Sequence, residues 1–165
     1  MSTLKEFLNE LEQESIVTRK MLERIPADKH DWRPHAKSMT AKELGGHIAE
    51  LPGWISMAFT TDEWDFESHP YSPPVWSTKE DLLGFFEKNF EDAKAHLESG
   101  KEEDLQPGWT LRNGAQAYMN ITKGELVRHA LCQTIHHRAQ LGVYLRLLDI
   151  PVPGTYGPSA DEQFG

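Results

Sequence analysis

Histidine is the residue type most able to do chemistry in this chain, with eight among 165 residues, and their placement matters more than their number. His47 falls between Leu44 and Leu51, in a stretch whose apolar residues recur at helical spacing. At a turn of about 100° per residue it lies on the side that faces the core. Further along, Leu126, Ala130, Leu141, Tyr144, Leu145 and Leu148 set the apolar arc of another helix, and His137 falls inside it. Gln133 lies one turn earlier at the edge of that arc, His129 another turn back, and His136 towards the rim. Two readings stay open. An inward histidine is commonly a hydrogen-bonded core residue, because an unpartnered buried imidazole is costly. Two of them on different helices also make a donor pair for a transition metal, for which histidine is the commonest side-chain ligand.

Other chemistry is less well supported. A single cysteine, Cys132, excludes an internal disulfide and every multi-cysteine zinc motif, and it falls off the core arc with no neighbouring base. It reads as a small apolar residue. No glycine-rich phosphate loop, Gly-x-Ser-x-Gly elbow or His-Glu-x-x-His helix occurs. The acidic pairs Glu102-Glu103 and Asp161-Glu162 sit in loops, where solvated charge is the default. A net charge of −9, with basic residues scattered and never three in a row, argues against a nucleic-acid partner. No stretch approaches the roughly 20 apolar residues that cross a bilayer, so no membrane partner is expected. The acidic, amphipathic opening MSTLKEFLNELEQES is unlike a secretory signal, and the expected location is cytoplasmic.

Four helical segments must position these side chains. The first, about residues 3–24, puts Leu4, Phe7, Leu8, Leu11, Leu22 and Ile25 on one face, with Ser15 and Thr18 as a polar gap that lines a pocket or marks shallow core. Thr40-Ala-Lys-Glu43 forms a capping box, in which hydroxyl and carboxylate satisfy free N–H groups at a helix start. It opens a second helix, about residues 41–59, with Leu44, Ile48, Leu51, Ile55 and Ala58 inward and a local kink expected at Pro52. Ser77-Thr-Lys-Glu80 reads as a second box, starting a helix that carries Leu82, Phe86, Phe90, Ala93 and Leu97 and stops at Gly100. A long connection, roughly 101–121, holds Pro107-Gly108, Asn113-Gly114 and one short helix. Thr122-Lys-Gly-Glu125 is a third box, and its helix runs to about Leu148, where Pro151 and Pro153 end it. The tryptophans Trp32, Trp54, Trp64, Trp76 and Trp109 fall mostly in or beside loops, as pocket walls or as loop anchors. No alternating strand pattern persists, so the expected fold is all-α, one domain over residues 1–165, a four-helix bundle whose long connections disfavour a simple up-down-up-down order.

The run Ile135-His-His-Arg-Ala-Gln-Leu-Gly-Val-Tyr-Leu-Arg-Leu-Leu148, followed by Pro151-Val-Pro-Gly-Thr-Tyr-Gly-Pro-Ser-Ala-Asp-Glu162, resembles the C-terminal part of DinB-like proteins. Asp31-Trp-Arg-Pro34 and Leu44-Gly-Gly-His47-Ile-Ala-Glu50 resemble the loop and second helix of the same family, in the same order. The resemblance implies a bundle of unusual connectivity, a homodimer, and a divalent metal, zinc or nickel, held by one histidine on the second helix and two on the fourth. The matching positions are His47, Gln133 and His137, and Gln133 departs from the pattern, which has histidine there. An amide oxygen is a weaker donor than imidazole towards such ions. The resemblance further implies a metal-dependent enzyme acting on a small-molecule substrate, either transferring a low-molecular-weight thiol to an electrophile or performing metal-assisted hydrolysis. The alternative is a non-catalytic small-molecule binder or stress-response protein with a degenerate metal site, and Gln133 is the feature that favours it.

Overall fold

The structure, a computed structural model, describes residues 2–163. Four long helices dominate: α1 (Thr3–Glu23), α2 (Ala41–Thr60), α3 (Lys79–Ser99) and α4 (Lys123–Leu147). Their starts follow local chemistry. Thr40 and Glu43 cap α2 reciprocally, and Thr122 and Glu125 do the same for α4. The cap of α3 lies one residue later than expected, with Thr78 paired to Asp81. The short Asp81 carboxylate accepts from the Thr78 N–H at 2.9 Å and the Ser77 N–H at 3.1 Å, leaving Glu80 exposed. The helix α2 runs on through Pro52, which is buried.

The end of α4 owes as much to backbone geometry as to the prolines. Asp149 is left-handed, with φ of 56°, and the Ile150 N–H reaches back to the Leu145 carbonyl at 2.9 Å. Together with the bond from the Asp149 N–H to Arg146, this closes a Schellman turn, in which glycine is the usual left-handed residue. An Asp149→Gly variant should therefore be more stable by about 1 kcal/mol, read from its urea midpoint.

Two apolar clusters fill the bundle, one towards each end. The first joins Leu4, Phe7 and Leu11 of α1 with Ile55 and Ala58 of α2, Ala93 and Leu97 of α3, and Leu126 to Leu131 of α4. The second joins Met21 and Leu22 with Leu44 and Ile48, Leu82 and Phe86, and Leu141 to Leu145. These memberships fix the directions: α1 and α4 run one way, α2 and α3 the other. Residues 61–78 therefore carry the chain back along the whole bundle between two parallel helices, which is why that connection is long. The helices α1 and α2 each pack against both α3 and α4, so α2 faces α4 and α1 faces α4 across separate seams.

The all-α expectation needs one correction. A three-stranded sheet closes the end where α2 and α3 finish: β1 (Glu63–Asp65), β2 (Gly108–Asn113) and β3 (Gln116–Thr122), in the order β1-β2-β3. The strands β1 and β2 are parallel, and β2 and β3 form an antiparallel hairpin across Gly114-Ala115. Pairing of Leu111 with Met119 and of Arg112 with Ala117 leaves Tyr118 as an extra residue in β3. This sheet lacks an alternating signature because only Trp109 of β2 is fully buried, and β3 is mostly exposed. Polar contacts hold it instead. Asp65 accepts from the N–H groups of Gly114 at 2.9 Å and Glu67 at 3.0 Å, while Arg112 grips both Glu63 and Asp65. Asn113-Gly114 was the one local signal of a hairpin, and Gly114, at φ of 55°, takes the left-handed turn position.

Candidate functional site

Between the two apolar clusters lies a layer of buried polar residues. The polar gap in α1 is filled by Glu14 and Thr18, whereas Ser15 turns aside to bond the Glu12 carbonyl. Across the α1/α4 seam, Arg138 is 2 % exposed and meets the Glu14 carboxylate at 2.5 Å. Arg138 also donates to the Thr18 hydroxyl at 3.1 Å, and the Tyr156 hydroxyl donates to Glu14 at 2.6 Å. The C-terminal segment around Tyr156 thus lies over Arg138 and Gly142, where it walls a hollow of about 290 Å³.

The histidines meet across the other seam, between α2 and α4. The rings of His47 and His137 stand 4.5 Å apart, nearly perpendicular at 79°. Each is oriented by a residue three positions further along its own helix, one turn away. His47 Nδ1 is 2.6 Å from a carboxylate oxygen of Glu50, and His137 Nδ1 is 2.8 Å from the side-chain oxygen of Gln140. Both oxygens accept, so each Nδ1 carries a proton, and in the neutral ring Nε2 is left with a free lone pair. Glu50 is itself fixed by the Tyr71 hydroxyl, which donates to the same oxygen at 2.8 Å from the long α2–α3 connection. Burial, reinforced by that bond, pushes the Tyr71 phenol up. The Gln140 amide lies 3.2 Å from His136 Nε2, so His136 supports the pair from the rim.

Gln133 shares a hollow of about 200 Å³ with His47, Leu51, Trp54 and His129. Among the described residues it makes no hydrogen bond to His47 or His137, whose Nδ1 atoms are taken. His137 opens instead into a cleft of about 390 Å³ beside Lys37, Met39 and Tyr144. Cys132 is exposed and contributes nothing here. Among the described residues no three of the His, Cys, Asp and Glu side chains converge as a metal cage. The donors at hand are the two imidazoles, whose rings stand 4.5 Å apart, and the Gln133 amide, which shares its hollow with His47 and not with His137; so few protein donors suit a divalent ion that keeps open positions rather than a closed structural site. Glu50, Gln140 and Tyr71 escaped the sequence reading. The i,i+3 spacing of His47 to Glu50 and of His137 to Gln140 was the available signal for two of them, and Tyr71 had none.

Burial holds the His137 imidazole below its ordinary value; the Gln140 bond opposes this, and His47 and His136 add to the lowering. The unfolded chain then binds the proton at higher pH than the folded one. Stability from this residue should be complete above an unfolded value of about 6.5 and fall with acidification until the folded value is passed. Urea midpoints across that window in metal-free buffer should slope less in a His137→Gln variant.

A four-helix bundle running up, down, down and up, with histidines facing each other from α2 and α4, defines the class of this protein. The chain belongs to the DinB family, whose model matches residues 1–163. It is 29% identical to the uncharacterised protein YjoA of Bacillus subtilis strain 168 over 130 residues, covering 79% of this chain and 80% of that one. In fold it is similar to the crystal structure of the DinB-like YjoA from Bacillus subtilis, with a TM-score of 0.71 at 22% identity, over 96% of this chain and 99% of that one. A DinB-like protein from Bacillus cereus ATCC 10987 superposes with a TM-score of 0.69 at 19% identity, over 92% and 97% of the two chains. These structural likenesses speak to fold alone. Among the described residues no helix is long and apolar enough to cross a membrane.

Proposed function

We propose that this chain is a metal-dependent enzyme in which His47 and His137 hold a divalent transition ion and Gln133 supplies a weak third donor or orients a water. The observation that carries the reading is the paired anchoring of the two rings, each with Nδ1 tied to an oxygen and Nε2 left free. Metal-ligating histidines characteristically donate their second N–H to such a partner, which fixes the tautomer and the ring plane. A bound ion at this position would acidify a low-molecular-weight thiol or a water for attack on an electrophile. The Glu50 carboxylate, held by Tyr71, would keep His47 in register and offset part of the positive charge.

A second reading, a non-catalytic small-molecule binder, is favoured by one residue, the amide at position 133. Metal content of untagged protein separates the two. Near one equivalent of zinc or nickel per chain, lost in His47→Ala, is the result expected for the enzyme, and thiol-transfer and hydrolysis assays then follow. Metal retained only by a Gln133→His variant would leave the binder as the better reading.

A further inference from the structure

We propose that the cleft above His47 takes a small organic anion, with a carboxylate held at the mouth by Arg33 and Lys37 and an apolar body laid against Met39 and Pro73. This rests on the reading of His47 and His137 as the reactive end of the site, and it names the class of molecule that reaches them. The cleft measures about 460 Å³, and Arg33, Lys37, Met39, Glu43, His47, Tyr71 and Pro73 all line it. The adjoining cleft over His137 shares Lys37, Ser38 and Met39 with it, so one loop borders the openings above both rings.

The charge at this mouth is unusual for the molecule. The chain carries a net charge of −9. Every other arginine, at positions 19, 24, 112, 128, 138 and 146, is engaged in an ion pair. Among the described residues Arg33 forms none, and neither does Lys37; both are exposed. Glu43 lines the same cleft, but among the described residues neither it nor Glu50 forms an ion pair with Arg33 or Lys37. Glu43 accepts the Thr40 N–H at 2.7 Å in the cap of α2, and Glu50 accepts from His47 and Tyr71. Asp31 is exposed, two residues before Arg33, but does not line the cleft. A guanidinium without a partner presents a planar fork that suits a carboxylate, and the neighbouring ammonium adds a point charge. Met39, 39 % exposed, lines both clefts and offers a flexible apolar surface to a bound molecule.

The test uses two probes of the same shape, 3-phenylpropanoate and its neutral amide, on the full chain kept metal-free with EDTA. Binding is followed by amide chemical shifts of the isotopically labelled protein. The carboxylate should bind about tenfold more tightly than the amide, the difference made by roughly one charge-assisted hydrogen bond. Its shifts should map to residues 33–39 and Tyr71, and the preference should shrink with added salt. An Arg33→Gln, Lys37→Gln double variant, whose exposed positions leave the core untouched, should bind both probes alike. Equal affinities in the native protein, no binding of either probe, a preference that survives the double variant, or shifts centred on the hollow near Tyr156 would each overturn the proposal. Because metal is absent throughout, a failure here is distinct from a failure to bind zinc or nickel.

Discussion

Replacing Arg138 with alanine is expected to cost about 3–5 kcal/mol of stability, the largest single-site loss outside the apolar clusters. The reason lies in what remains rather than in what is removed. Glu14 is 7 % exposed, and its carboxylate meets the Arg138 guanidinium at 2.5 Å. Without Arg138 that charge has only the Tyr156 hydroxyl, at 2.6 Å, to replace water. The same change frees the Thr18 hydroxyl, which is fully buried, from its donor. A buried ion pair contributes little relative to well-packed apolar residues, but a buried carboxylate with no counter-ion is expensive. A Glu14→Leu, Arg138→Met double variant should therefore recover most of the loss, in urea unfolding followed by circular dichroism. A double variant as unstable as Arg138→Ala would show that the pair is not what sets the cost. Tyr156→Phe, which leaves the ion pair intact, should lose only about 1 kcal/mol.

Removing the carboxylate behind His47 should act on metal affinity instead of stability. In Glu50→Ala, zinc binding is expected to weaken by roughly 10- to 100-fold, as found when the partner of a ligating histidine is lost. The anchor at 2.6 Å holds the proton on Nδ1, which fixes the ring plane and leaves Nε2 of the neutral ring as the donor to a metal. Competition against a chromophoric chelator reads the change directly. Tyr71→Phe should show a smaller weakening in the same direction, because Glu50 would lose one donor but keep its bond to His47. Unchanged affinity in Glu50→Ala would mean that the anchor does not serve a metal, and would sink the main argument for the enzyme reading.

The amino-acid sequence by itself determined the four helices, because each carries an apolar stripe and three begin with a threonine whose hydroxyl and a following carboxylate close a cap. It also placed His47 and His137 on inward faces, since helical periodicity is a local property that spacing reveals. It singled out Gln133, and the family to which the chain belongs was readable from the run around His136 and His137. Tertiary structure decided the rest. The sheet was hidden because its strands bury almost nothing on either face, and its hold comes from Asp65 and Arg112, which are far apart in sequence. The polar layer was misassigned by one residue in α1, because only the arrival of Arg138 from α4 makes Glu14 tolerable inside. The distance between the histidine rings, the bond from Tyr71 to Glu50 and the shared loop at the cleft mouth all join segments that are distant in the chain. No local pattern encodes such contacts, because they follow from the seams along which α2 and α1 pack on α4.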